Sequence, residues 1–176
     1  LAHASGSLNI LFSIPVWYAL MGAAVWIVLG CSRLFTTSLL YLYVLGHELT
    51  HVLAVYCSRG SVSKFNASLD GGYIQTDKNN LFISLSPYFL PLWGMLWGLV
   101  WGIVHIFWPT ITCEALLYSG LGFWWCFHLF WTAWIIPKDQ PDLAGNGTFF
   151  SLILVYFANL LLFLGLLRLF NAVSIN

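Results

Sequence analysis

Five apolar runs take up 122 of the 176 residues, at approximately residues 10–30, 34–57, 81–108, 111–136 and 148–170. Each reaches the roughly 20 residues that a helix needs to cross the hydrocarbon core of a bilayer. A helix is also one of the two backbone arrangements that satisfy their own hydrogen bonds in lipid. The residue balance agrees, with 60% of 176 residues hydrophobic and 7% charged, against about 25% charged in an ordinary soluble domain. The expected fold is an all-α polytopic membrane protein with about five transmembrane helices, a single domain over residues 1–176. The longest polar connection, residues 58–80, leaves no room for a soluble domain. The chain opens on Leu1 rather than Met, so a trimmed start is expected. The first apolar run is too long for a signal peptide and has neither a basic flank nor a small-residue cleavage site, so it reads as a span.

Five spans put the termini on opposite sides. Arg59, Lys64, Lys78 and Lys138 then share one side, with Arg33 and Arg168 on the other. The excess of basic residues predicts a cytoplasmic N-terminus and cytoplasmic loops at residues 58–80 and 137–147. Six basic and six acidic residues give no net charge and form no polybasic lipid-binding cluster, so no nucleic-acid partner is expected and the lipid bilayer is the expected surroundings of the spans. Cys31, Cys57, Cys113 and Cys126 show no C-x-x-C spacing and read as packing residues rather than as a thiolate site.

Inside the second run, "YLYVLGHELTHVLAVYC" (residues 41–57) gathers His47, Glu48 and His51 among apolar neighbours. An ionisable side chain at the centre of a membrane helix costs roughly 2.5–3.5 kcal/mol on insertion scales, so three within five residues require a compensating partner. Positions i and i+4 share a helix face, so His47 and His51 can present two imidazole nitrogens to one metal ion. Glu48 falls at the edge of that face, where it can take a proton from water without being a ligand, the arrangement that H-E-x-x-H implies. A catalytic zinc site needs a third protein ligand. His128, Asp139 and Asp142 are the candidates. Depth along the fourth span favours His128. Pro137 and Pro141 allow the following segment to fold back and deliver a carboxylate instead.

Three motifs together carry a family resemblance: "GHELTH" (residues 46–51), "LDGGYIQTD" (residues 69–77) and "PKDQPDLAG" (residues 137–145). Their order resembles the site-2 protease family of intramembrane zinc metalloproteases over roughly the middle two-thirds of the chain. The resemblance implies Zn2+ as cofactor, His47, His51 and Asp142 as its ligands, and Glu48 as the catalytic base. It also implies a peptide bond in or near the transmembrane segment of a single-span membrane protein as substrate. The sequence departs from the family at "Pro141-Asp142-Leu143", where Leu-Asp-Gly is common, and it lacks the preceding Asn-Pro pattern.

Read from its residues alone, "SVSKFNASLDGGYIQTD" has partial alternation around a Gly-Gly turn signal and predicts two short strands after the second span. A substrate helix hides its carbonyls, so cleavage needs an extended segment. A strand carrying Gly71, Gly72 and Tyr73 could bind one by main-chain pairing. In the third span, Gly94, Gly98 and Gly102 beside Trp93, Trp97 and Trp101 read as helix packing. Pro87 and Pro91 should disturb its start. Asn159 reads as a helix-to-helix hydrogen bond, and Glu114 as a solvated end. Two other functions fit fewer residues. A non-proteolytic bundle that binds a membrane partner leaves the intact His47, Glu48 and His51 unexplained. A haem-binding electron carrier using His47, His51, His105 and His128 gives Glu48 no purpose.

Overall fold

The computed structural model describes residues 13–32, 35–110 and 113–174, with the side chains of the last helix described to Phe170. Arg33 and the starts of the first, second and fourth expected spans lie outside them. In chain order the described elements are α1 (Ile14–Cys31), α2 (Thr36–Cys57), β1 (Val62–Ser68), β2 (Gly71–Thr76), α3 (Leu81–Leu85), a 3-10 turn (Ser86–Tyr88), α4 (Leu92–Phe107), α5 (Glu114–Ile135), α6 (Pro141–Ala144) and α7 (Thr148–Ser174). The protein is therefore mostly helical with one small antiparallel sheet, β1 paired to β2.

Among the described residues, three helices are long and apolar enough to cross a membrane: α1, α2 and the Thr148–Phe170 part of α7. The expected span at residues 81–108 is not one helix. Its two parts, Leu81–Tyr88 and Leu92–Phe107, meet at 78°, and only if this bent pair counts as one span does the number rise to four. Proline chemistry explains the break. Pro91 has no N–H for the carbonyl of residue 87, and the Leu92 N–H bonds to Leu90 O at 2.9 Å rather than to Tyr88 O. The 22-residue α5 is not among the three, since Glu114, Tyr118, His128 and its tryptophans lower its mean hydropathy.

The chain divides into two compact units, one drawn from residues 32–92 and 128–159, the other from residues 1–31, 93–127 and 160–176. In the first, α2 stops by a C-terminal motif in which Arg59 N–H bonds to Tyr56 O at 2.9 Å and Gly60 N–H to Val55 O at 2.8 Å. Arg59 takes the left-handed conformation this requires, φ 58°. The reversal sends the chain into the hairpin, whose register pairs Phe65 with Ile74 and Ser68 with Gly71. Gly71, at φ 130°, closes the tight turn. Val62 and Ile74 lay the hairpin base against buried Ala54, Val55 and Ile83. Asn80 then caps α3, its side-chain oxygen accepting from Ile83 N–H at 2.9 Å. A second cluster joins Leu85, Tyr88, Leu143 and Val155.

In the other unit a close helix approach is made by glycines that the sequence did not single out. A Cβ at Gly22 would collide with the Ser119 carbonyl, and one at Gly122 with that of Ala19, so α1 and α5 cross backbone to backbone. A Cβ at Gly102 would meet nothing within 4 Å. Trp97 instead packs its indole on Gly120 and donates from Nε1 to Leu117 O at 3.2 Å.

Candidate metal centre

The centre is assembled within the first of these units. On α2 the buried face carries Tyr43, His47, Glu48, Thr50 and His51. After α5 ends, the chain turns at Asp139, φ 48°, and Pro141 starts α6 with Asp142 in its first turn. Leu143, 1% exposed, anchors this short helix among Leu85, Tyr88 and Val155. Its carbonyl also accepts a 3.0 Å hydrogen bond from Ser151 Oγ. Asp142 is thereby brought back to the α2 histidines. Its Oδ2 lies 3.2 Å from His51 Nε2 and 3.6 Å from His47 Nε2.

His47, His51 and Asp142 form a group that could hold a metal ion, with ligand atoms all within 4.8 Å of one another. The hydrogen-bond pattern fits a cation. His51 Nδ1 lies 2.8 Å from the Ile83 carbonyl, which can only accept, so Nδ1 carries the donating proton. In the neutral ring that leaves a lone pair on Nε2, which faces a carboxylate oxygen 3.2 Å away. Two facing acceptors repel unless positive charge lies between them. The His47 ring is flanked by Tyr43 at 5.9 Å, Tyr88 at 5.0 Å and His51 at 4.9 Å between centroids.

Glu48 is not a member of the ligand group. It is 6% exposed and lines a cavity of about 580 Å³ that also contains His47, His51 and Asp142. Gly71, Gly72 and Tyr73 of β2 line the same cavity. Gly72 touches the glutamate: a Cβ there would stand 2.6 Å from Glu48 Oε1. The two other third-ligand candidates are elsewhere. Asp139 is exposed in the turn before α6. His128 is buried on α5 and is not a member of the ligand group. His105 is exposed on α4.

Sequence reasoning did not single out Tyr88, Gln140 or the Ile83 carbonyl. Tyr88 was detectable in principle as a polar-tipped aromatic between two prolines, and Gln140 as an amide beside the Pro-Asp pair. A backbone carbonyl carries no sequence signal. Comparison with family models, with curated proteins and with solved structures finds no match for this chain.

Proposed function

We propose that the protein is an intramembrane zinc metalloendopeptidase similar to the site-2 protease family, acting on a peptide bond in or near the transmembrane segment of a single-span membrane protein. The observation that carries this reading is the convergence of His47, His51 and Asp142 beside a glutamate that shares their cavity but not their ligand group. Ligands at zinc distances of about 2.0–2.1 Å in a tetrahedron stand about 3.3 Å apart, and the observed 3.2 and 3.6 Å separations lie on either side of that value.

When bound, zinc supplies Lewis acidity toward the scissile carbonyl and the attacking water. Glu48 takes a proton from that water and returns it to the leaving amine. Strand β2 supports the binding of an extended substrate segment by main-chain pairing, and the absent side chain of Gly72 lets the backbone approach the Glu48 carboxyl. The three long apolar helices support a multi-pass membrane location, since their outward side chains include Val28 at 67%, Phe149 at 78% and Leu161 at 68% exposure. The basic residues favour a cytoplasmic N-terminus.

Purified full-length chain, assayed for bound metal and for cleavage of a single-span membrane protein, tests the reading. Glu48→Gln should retain zinc while cleavage falls by about 10²–10⁴. His47→Ala should lose the metal. Cleavage at the normal rate by Glu48→Gln would sink the mechanism, and a strong visible absorption band would favour the haem-binding function instead.

A further inference from the structure

Tyr88 occupies the break between α3 and α4 and is 0% exposed, yet both of its polar ends are engaged. Its carbonyl, freed from helical bonding by the break, accepts a 2.9 Å hydrogen bond from Asn159 Nδ2 on α7. At the other end its hydroxyl lies 3.2 Å from Asp142 Oδ2 and 3.3 Å from Gln140 Oε1. One hydroxyl proton has two acceptors within reach, and the ionised carboxylate is the stronger. Between these ends the ring meets the His47 imidazole edge-on, with centroids 5.0 Å apart and planes at 88°.

The oxygen that Tyr88 bonds is the one that faces both histidines. Asp142 sits on a four-residue helix, and so short a helix has little rigidity of its own. We propose that Tyr88 is the positioning residue of the centre, holding Asp142 Oδ2 toward His47 and His51 so that the third ligand is in place before an ion arrives. This rests on the metal reading above. It also gives the α4 break and Asn159 a purpose. A continuous helix would keep the Tyr88 carbonyl for itself, whereas the broken one offers it to Asn159, which ties the tyrosine to α7.

Tyr88→Phe removes only the hydroxyl and keeps the ring, its contact with His47 and its backbone bonds. For the full chain in detergent, titrated with zinc against a competing chelator, the variant should bind about 10–100-fold more weakly, as is typical when a group orienting a ligand is lost. Stoichiometry at saturating zinc should not change. A residue that merely props the fold would weaken binding by the same factor whether or not Asp142 is present, whereas a residue acting through Asp142 would not. In an Asp142→Ala background, Tyr88→Phe should therefore change nothing further. Where zinc binds that background too weakly to measure, copper(II), the tightest binder of the first-row series, replaces it in all the proteins compared. Wild-type affinity in Tyr88→Phe, or an equal loss in both backgrounds, overturns the role of Tyr88 and leaves the centre standing. A wild-type chain that binds no zinc overturns the centre and the role together.

Discussion

At the scale of single residues, the contact between Gly72 and Glu48 ties the hairpin to the chemistry. The backbone of β2 comes so close that a methyl group at position 72 would collide with Glu48 Cγ and stand 2.6 Å from its Oε1 and 2.7 Å from its Cδ. All three atoms belong to one rotatable side chain, so the glutamate would turn about its first side-chain torsion and carry its carboxyl away from the centre before the strand moved. Gly72→Ala should then retain the fold and the bound metal while cleavage drops by about 10²-fold, the scale of a 1 Å misplacement. Metal analysis and cleavage measured on the same preparation check this, and an undiminished rate would mean that Glu48 does not act from its observed position. Gly71 has a different reason to be glycine, since its φ of 130° belongs to the turn and nothing lies within 4 Å of a Cβ there.

At the scale of elements, a reciprocal pair closes the hairpin base: Ser61 N–H donates to Asp77 Oδ1 at 2.7 Å and Asp77 N–H to Ser61 O at 3.3 Å. The Ser61 amide, which bonds the charged form, lowers the Asp77 carboxyl below its ordinary value. The sign follows from linkage. A carboxyl depressed in the folded state stabilises the hairpin above its unfolded value of about 3.9, and that contribution is lost as pH falls through the lower folded value. The Ser61 amide resonance should accordingly titrate with a midpoint below about 3.9. A midpoint at or above that value, or the same titration in Asp77→Asn, would show that the pair does not close the hairpin. A broken element plays an equal part, because the same 78° bend that interrupts an apolar run also exposes the Tyr88 carbonyl to Asn159.

At the scale of the whole molecule, the proposed orientation puts Asn66-Ala67-Ser68 and Asn146-Gly147-Thr148 on the cytoplasmic side, and both match the glycosylation acceptor pattern. Asn66 and Asn146 are exposed, so burial would not protect them from modification. Expression in a glycosylating membrane system should leave both unmodified. Sugar on either asparagine would overturn this topology.

What the sequence determined by itself is what local spacing can encode. The i, i+4 interval puts His47 and His51 on one face of α2, the Gly-Gly signal makes the hairpin, and Pro87 and Pro91 mark where an apolar run must break. The identity of the residue opposite the histidines was beyond such reasoning. Depth along α5 favoured His128, while the adjoining prolines and the resemblance favoured Asp142. Tertiary structure decided the matter by turning the chain back at Asp139 and burying Leu143 beside Tyr88, which carries Asp142 to within 3.2 Å of His51 across 91 residues of sequence. The glycines show the same division. Gly102 has the spacing of a packing face but open space around it, whereas a backbone crossing falls at Gly22 and Gly122. A pattern of small residues says that a helix can be approached closely; which neighbour approaches it depends on how the helices are arranged in three dimensions.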